Sequence, residues 1–194
     1  MKTSALWAGQ FGVDYTARNS QDPDRSKFWT RIAEKYKPTS VLEVGCNIGH
    51  NLRPLKAALP KAEIWGVDVN PRAVKELREA GIWGDVADAT KLPYGHNSFE
   101  MVFCIGLLIH MTDEADLEAT IREMFRVSWK YVLVAEYWSP GWVSLPYHGY
   151  ANALRKGPFD RVIAEIAGGE VIERGYLEAR DGFDRVHYWV YSVS

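Results

Sequence analysis

Residues 41–49 place an apolar strand, an acid and two glycines in the order that forms a ligand-binding turn. The segment reads VLEVGCNIG, and its β-branched and apolar residues give Ser40–Val44 strand character. Gly45 permits a tight turn, and Gly49 permits the backbone and the following helix to approach a ligand closely. The residues of this turn that we expect to contact a cofactor are Gly45, Cys46, Asn47 and Gly49.

The spacing of these glycines and the charge before them discriminate between cofactors. A dinucleotide fingerprint has the form G-x-G-x-x-G, whereas Cys46, Asn47 and Ile48 separate the two glycines here. Glu43 would repel a pyrophosphate, but it suits a cationic group such as the ammonium of an amino-acid moiety. The turn therefore favours S-adenosylmethionine over NAD, with Glu43 in the cofactor site.

Two later acids extend this site. Asp68 lies near the end of the apolar stretch AEIWGVDV, 19 residues beyond Gly49, where an acid at an interval of about 20 residues binds ribose hydroxyls in nucleotide folds. Asp88 follows a weak strand and could receive an adenine amino group, although a solvated loop carboxylate explains it equally well. The other positions expected to contact the cofactor are Val69, Ala89 and Ile105.

Strands and helices alternate along the chain, and the alternation predicts the sheet that would hold these residues. The predicted elements are strands 40–45, 62–68, 82–86, 99–105 and 131–136, and helices 27–36, 50–58, 71–80 and 113–128. Residues 170–180 and 185–193 form two further strands joined by the turn DGFD. The fold class is therefore α/β, with a Rossmann-like doubly wound sheet that is mostly parallel and ends in a C-terminal antiparallel hairpin. Ligands of such sheets bind at the carboxyl ends of the strands.

Three motifs in this order resemble those of the class I S-adenosylmethionine-dependent methyltransferases. They are VLEVGCNIG, GVDVN and DATKLPYGHNSFEMVFCIGLLIHM, and the resemblance covers residues 38–138. A narrower set, which includes FGVDYTARN, LEVGCNIGHNL, LLIHM, AEYWSP and LPYHGY, is similar to the methylases associated with pseudaminic acid biosynthesis. That narrower resemblance implies methyl transfer connected with surface nonulosonic sugars.

Histidines supply the candidate catalytic bases. Methyl transfer is an in-line displacement at a sulfonium, so the protein must place the acceptor near the methyl carbon and often removes its proton. His110 follows the fourth strand, a position that borders the active site in the resembling enzymes, and imidazole titrates in the useful range. His148 is the alternative base, with Glu136 as an orienting carboxylate. Many such enzymes need proximity more than a base.

Two aromatic and polar segments are candidates for acceptor binding. Residues 1–37 are expected to form an N-terminal helical extension or lid, which precedes a methyltransferase domain at 38–194. Residues 137–158 are expected to form an irregular aromatic loop that suits a sugar or another flat amphipathic substrate. The candidate substrate residues are Tyr15, Arg18, Asn19, Tyr137, Trp138 and Tyr147. Both segments could instead only cover the sheet edge and the core.

Composition fits one enzyme domain that acts on a small molecule. The 194 residues, with 47% hydrophobic content, suffice for a single core. A net charge of −2 and a pI near 6.2 argue against a nucleic-acid partner. No long apolar stretch or secretory signal is evident, so we expect a cytoplasmic protein with no membrane partner. The two cysteines, Cys46 and Cys104, lack metal-ligand spacing, and no metal is expected.

Two other functions compete with methyl transfer. A domain that binds S-adenosylmethionine without catalysis, as a sensor or accessory subunit, would carry the same motifs. A nicotinamide-dependent oxidoreductase is disfavoured because the third glycine is missing and the sheet ends in an antiparallel hairpin. The residues leave the acceptor, the methylated atom and the oligomeric state open.

Overall fold

A computed structural model describes residues 3–18, 23–147 and 150–193. The strands in these residues are β1 Ser40–Val44, β2 Glu63–Asp68, β3 Trp83–Val86, β4 Phe99–Ile105, β5 Ser128–Glu136, β6 Val143–Tyr147, β7 Tyr150–Lys156, β8 Glu170–Leu177 and β9 Val186–Ser192. The helices are α1 Thr3–Ala8, α2 Gln10–Arg18, α3 Ser26–Tyr36, α4 Leu52–Ala58, α5 Pro71–Glu79, α6 Glu114–Val127 and α7 Phe159–Ala167. Short 3-10 turns at Leu108–His110 and Ala179–Asp181 complete the chain.

Seven strands form one sheet in the order β3-β2-β1-β4-β5-β9-β8. The pairs β1–β2, β2–β3, β1–β4 and β4–β5 are parallel, whereas β9 pairs antiparallel with both β5 and β8. This arrangement confirms the predicted mostly parallel sheet with a terminal antiparallel hairpin. Because the order reverses next to β1, the carboxyl ends of β1 and β4 border the crevice in which such sheets bind ligands.

Helices cover both faces of the sheet. Because side chains alternate along each strand, successive residues pack in two separate cores. On β4, Met101 and Phe103 pack with Trp29 of α3 in one buried cluster. Val102 and Cys104 pack with residues of α6 and α7 in the other. The near-continuous apolar sequence of the central strands follows from this double burial.

The helix starts agree with local sequence signals. Asn70 caps α5 by accepting a hydrogen bond from the backbone of Arg72, and Pro71 occupies the first turn. Asp113 caps α6 by accepting hydrogen bonds from two backbone N–H groups. Both helices begin at the residues that the sequence predicts.

Helix α3 is tied to the C-terminal hairpin by a charged cluster around Glu173. The Glu173 carboxylate accepts hydrogen bonds from Arg31 (2.5 Å), Lys35 (2.6 Å), Tyr36 (2.6 Å) and Tyr188 (2.7 Å). Burial would raise the pKa of Glu173, but the four donors outweigh it and lower the pKa to about 2. The ionised carboxylate of Glu173 and its four donors therefore hold α3 against β8 and β9.

The prediction of an irregular loop at residues 137–158 is wrong. Residues 143–147 and 150–156 form an antiparallel hairpin, separate from the main sheet. Alternating apolar residues at 143, 145 and 147 favour a strand, and Pro146 is tolerated because a two-stranded sheet has only edge strands. The register shifts between Leu145 and Tyr147, next to the proline. Helix α7, which follows the hairpin, is absent from the elements predicted above.

Within the residues that the structure describes, no helix combines the length and the apolar character that a membrane span requires.

Candidate active site

A cavity of about 590 Å³ opens at the carboxyl ends of the parallel strands. That volume lies in the range of about 300–1,000 Å³ for small-molecule sites. The predicted cofactor residues in its wall are Glu43, Gly45, Cys46, Asn47, Asp68, Val69, Asp88, Ala89 and Ile105. The predicted catalytic and substrate residues in its wall are His110, Tyr15, Tyr137 and Tyr147. One cavity therefore brings together residues from the N-terminal helices, four strand ends and the hairpin.

The carboxylate of Asp68 fixes the turn after β1. Its Oδ2 accepts a hydrogen bond from the backbone N–H of Asn47 (2.8 Å), and its Oδ1 accepts one from the backbone N–H of Asn70 (2.9 Å). Gly45 and Asn47 both have positive φ, at 75° and 45°, so this turn needs residues that tolerate the left-handed region. Burial raises the pKa of Asp68, and the hydrogen bonds from the backbone oppose that shift.

Glu43 is a buried acid with one unsatisfied oxygen. It is 1% exposed, and its Oε1 accepts a hydrogen bond from Asn51 Nδ2 (2.6 Å). Its Oε2 has no hydrogen-bond partner in the described part of the chain. Burial raises the pKa of Glu43 to about 8. A cationic ligand group in the cavity would pair with this carboxylate and relieve the cost of its burial.

A relay of side chains connects Glu43 to the segment before α3. Arg25 Nη1 donates to Asn51 Oδ1 (2.7 Å), and the amide of Asn51 in turn donates to Glu43. Arg25 Nε also donates to the carbonyl oxygen of Gly182 (2.9 Å), and the guanidinium lies 4.5 Å from the centroid of the Phe183 ring. The N-terminal segment, the turn after β1 and the loop between β8 and β9 are thereby joined at one cavity wall.

These observations test whether S-adenosylmethionine fits the cavity. Its ammonium requires an acid, which the unsatisfied Oε2 of Glu43 provides. Its ribose requires acceptors at the end of β2, where Asp68 lies. A third acid, Asp88, lies farther along the wall, although its Oδ1 also accepts hydrogen bonds from the N–H and hydroxyl of Thr90. The carboxylates in the cavity wall and the volume of the cavity therefore fit S-adenosylmethionine.

His110 lies in the wall among aromatic rings from two other segments. Its ring centroid is 4.5 Å from that of Trp7 in α1 and 5.7 Å from that of Tyr147 in β6. Trp7 also packs edge-on against Phe11 and Tyr15, each at 5.0 Å. Burial raises the pKa of Tyr15 to about 12, so this phenol stays protonated at neutral pH.

Glu136 has a different position from the one predicted. It is fully buried outside the cavity wall, and its Oε1 accepts hydrogen bonds from the backbone N–H groups of Leu107 (2.8 Å) and Leu108 (2.7 Å). Burial raises the pKa of Glu136 to about 8. Instead of orienting a histidine side chain directly, Glu136 holds the backbone of the turn that carries His110.

Three other predicted residues lie outside the cavity wall. Gly49 packs against α5, where an added Cβ would lie 2.5 Å from Leu77 Cδ1. Trp138 donates from Nε1 to Asp160 (3.0 Å). Arg18 is exposed at the end of α2. The predicted Asn19 and His148 lie outside the described residues.

Several cavity residues had no role in the sequence prediction. Those that carry polar or aromatic chemistry include Trp7, Arg25, Asn51, Arg155 and Asp184. Asn51 follows the glycine turn directly, so its position in the motif LEVGCNIGHNL was a usable signal. The others lie far from the motif in sequence, and only the folded chain brings them to it.

Comparison with known proteins agrees with this site. Residues 41–129 match a family model described as a methyltransferase domain. Ajmaline N-methyltransferase of Rauvolfia serpentina is 32% identical over 100 residues, which are 47% of this chain and 33% of that protein. Malonyl-[acyl-carrier protein] O-methyltransferase of Halorhodospira halophila is 33% identical over 96 residues, which are 47% of this chain and 32% of that protein. The chain thus spans about a third of the length of these curated relatives.

Two solved structures that share this fold are described as methyltransferases. The 1,6-didemethyltoxoflavin-N1-methyltransferase of Burkholderia thailandensis, solved with S-adenosylhomocysteine, has a TM-score of 0.76 at 13% identity, covering 98% of this chain and 88% of that one. The sugar N-methyltransferase KedS8 of Streptoalloteichus has a TM-score of 0.67 at 18% identity, covering 95% and 93%. The matched domain, the curated relatives and the solved structures named here are all described as methyltransferases.

Proposed function

We propose that this protein transfers a methyl group from S-adenosylmethionine to a small-molecule acceptor bound between the glycine turn and the hairpin β6–β7. The observation that carries the proposal is the position of Glu43. Glu43, a buried acid with one unsatisfied oxygen, belongs to the wall of a single cavity that Asp68 and the glycine turn also line. When bound, the cofactor supplies an electrophilic methyl group on a positively charged sulfur.

The residues of the chain have separate roles in this proposal. Glu43 binds the amino-acid end of the cofactor and Asp68 the ribose, while the turn after β1 packs against the cofactor. His110 accepts the proton that the acceptor loses, and Glu136 keeps the turn of His110 in place through its backbone hydrogen bonds. Tyr15 and Tyr147 contact the acceptor. Such positioning lowers the barrier by proximity as well as by proton transfer.

The acceptor that we favour is a sugar, in particular a nonulosonic surface sugar. Aromatic rings from α1, α2 and β6 surround His110, and ring faces of this kind suit the apolar face of a sugar. The resemblance to the methylases of pseudaminic acid biosynthesis points to the same class. One structural neighbour is described as a sugar N-methyltransferase.

Calorimetric titration with S-adenosylhomocysteine, and separately with NAD, tests the cofactor assignment. We expect micromolar binding of S-adenosylhomocysteine and its loss in Asp68→Ala. Asp85→Ala is the matched control, because Asp85 lies at the end of the neighbouring strand, outside the cavity wall, and pairs with Arg78 and Tyr94. Preferential binding of NAD, or binding of neither compound, would remove the basis of the proposal.

The Asp68 variant requires a folding control, since its carboxylate also holds two backbone N–H groups. Asp68→Asn keeps one oxygen acceptor and places its NH2 group against the second backbone N–H, so it should lose less stability than Asp68→Ala while it loses most of the charge-assisted binding to ribose. Weaker binding of S-adenosylhomocysteine to Asp68→Asn, measured well below its melting temperature, would place the effect in the cofactor site.

A further inference from the structure

Arg155 is a buried cation in the wall of the cavity, on strand β7 of the hairpin. The residue is 6% exposed, and its guanidinium carbon lies 4.1 Å from the centroid of the Trp142 ring. Its Nη1 donates a hydrogen bond to Glu114, whose side chain is 72% exposed. Its Nε and Nη2 have no hydrogen-bond acceptor among the residues that the structure describes.

Burial of the Arg155 guanidinium with two unpaired nitrogens is unfavourable, and a further hydrogen-bond acceptor would offset it. A buried charge is normally paired and hydrogen-bonded, and a buried donor without an acceptor destabilises the folded protein. Glu114 satisfies one nitrogen from a position that is largely in water, and the described residues offer no acceptor to the other two. A further acceptor bound beside Arg155 would remove this cost.

The geometry of the two unpaired nitrogens indicates the kind of acceptor. Nε and Nη2 lie on the same edge of the guanidinium, and their N–H bonds are parallel. That edge matches two oxygens of one carboxylate or one phosphate, in the bidentate pairing that arginine forms and lysine cannot reproduce. The stacking on Trp142 holds the plane of the guanidinium, and Trp142 engages the face of that plane rather than the edge.

The hairpin also brings cations to the cavity wall. The acids Glu43 and Asp68 lie in the last residues of β1 and β2, and Asp88 follows β3, whereas Arg155 and Lys156 belong to β7. Arg25, a third cation of the wall, is hydrogen-bonded to Asn51, and Asp184 accepts a hydrogen bond from the Tyr137 hydroxyl (2.7 Å). A ligand that extends from the glycine turn to the hairpin therefore reaches two neighbouring cations at the hairpin.

We propose that Arg155 binds a carboxylate or phosphate group of the methyl acceptor through Nε and Nη2. The proposal rests on the proposed function, because the acceptor must reach from the cofactor to the hairpin. It makes the acceptor an anionic small molecule and Arg155 a residue that determines specificity. It also gives the hairpin β6–β7 a role in recognition in addition to its covering the cavity.

Matched pairs of charged and neutral sugars test the proposal. Calorimetry on the protein saturated with S-adenosylhomocysteine would compare N-acetylneuraminic acid with its methyl ester, and glucose 6-phosphate with glucose. We expect one charged member to bind at least about tenfold more tightly than its neutral partner, which corresponds to the loss of about 1.4 kcal/mol of recognition. The pair that shows the preference identifies the anion as carboxylate or phosphate.

Three variants assign the preference to the guanidinium. Arg155→Met should abolish the preference for the anion, and Arg155→Lys should retain only part of it because a single ammonium lacks the two parallel donors. Glu114→Gln, which changes only the exposed partner, should leave it intact. Thermal unfolding followed by circular dichroism would show whether Arg155→Met folds. If Arg155→Met does not fold, the anion preference of Arg155→Lys is the test of the guanidinium.

Two results would overturn the proposal: equal binding of the charged and neutral members of both pairs, including no binding of any, or an anion preference that survives in both Arg155 variants. Failure of the proposed function is seen separately. If S-adenosylhomocysteine does not bind the wild type, the same sugar series without it still determines whether Arg155 binds anions.

Discussion

The indole ring of Trp7 packs against the imidazole ring of His110, with 4.5 Å between the ring centroids and 65° between the planes. Trp7 belongs to the first helix, whereas His110 ends the 3-10 turn after β4. The contact closes one side of the cavity with a residue more than a hundred positions away in sequence. It makes α1 and α2 a cover for the site and gives the lid hypothesis a specific residue to test.

Replacing Trp7 by alanine should loosen this cover without unfolding the core. An aromatic pair contributes about 0.5–1.5 kcal/mol, so the loss should raise the dissociation rate of S-adenosylhomocysteine roughly two- to tenfold. Stopped-flow displacement would measure the rate. Gln10→Ala is the control, because Gln10 is exposed and hydrogen-bonds only within α2 to Asp14. Equal rates for both variants and the wild type would make α1 a structural cover alone.

Glu43 should release a proton when the cofactor binds. Burial raises its pKa to about 8, so the carboxyl is largely protonated at pH 7 before binding. The cation of S-adenosylmethionine favours the ionised form and lowers that pKa. Calorimetry at pH 7 in buffers of different ionisation enthalpy should show proton release in the wild type and less in Glu43→Gln. Identical proton release in both proteins would assign the proton to another group.

The same substitution has a defined effect on stability. Because the folded pKa of Glu43 is above its unfolded value, folded protein holds more protons between about pH 4.5 and pH 8, and its stability falls as the pH rises through that window. Urea unfolding at pH 5 and pH 8 should therefore show a smaller decrease for Glu43→Gln than for the wild type. Glu136, with a folded pKa of about 8, would still contribute to the decrease in both proteins.

Local patterns were sufficient to predict which strand-end residues share one cavity. Gly45, Asn47 and Asp68 occur at strand ends, where the strand, turn and helix signals of a short segment determine their position. The strand order then brings those ends together, because parallel strands with crossover helices present all their carboxyl ends at one edge. For that reason the main sheet, and the position of these residues in the cavity wall, could be predicted.

The predicted Tyr15, Tyr147 and His110 do lie in the cavity wall, but the contacts around them could not be predicted, because those contacts join residues that are distant in sequence. Arg25 reaches Asn51 through a hydrogen bond across 26 positions, and Trp7 reaches His110 from another segment. The hairpin β6–β7 was missed because its prolines and glycines indicate a loop, although a two-stranded sheet tolerates Pro146. Amino-acid composition alone shows neither that β6 pairs with β7 nor that Arg155 is buried.

The cluster around Glu173 should make the protein sensitive to acid. The folded pKa of about 2 lies below the ordinary value of 4.5, so this carboxylate stabilises the fold above about pH 4.5 and loses that contribution as the pH falls toward 2. Glu173→Gln should flatten the fall of stability in this window by about 1–2 kcal/mol, a modest value because Arg31 and Lys35 are about half exposed and screened. Acid titrations followed by circular dichroism would measure it, with Glu118→Gln, an exposed ion pair, as control.

Two glycines with similar backbone conformations should respond differently to alanine. Gly49 (φ +86°) and Gly106 (φ +65°) both occupy the left-handed region, where a Cβ costs about 1–2 kcal/mol. An added Cβ at Gly106 meets nothing within 4 Å, whereas at Gly49 it lies 2.5 Å from the side chain of Leu77, which is fully buried. Overpacking adds about 1–3 kcal/mol, so Gly49→Ala should lose clearly more stability than Gly106→Ala in urea unfolding. Equal losses in the two variants would mean that Leu77 shifts at no cost, and that Gly49 is required only for its backbone conformation.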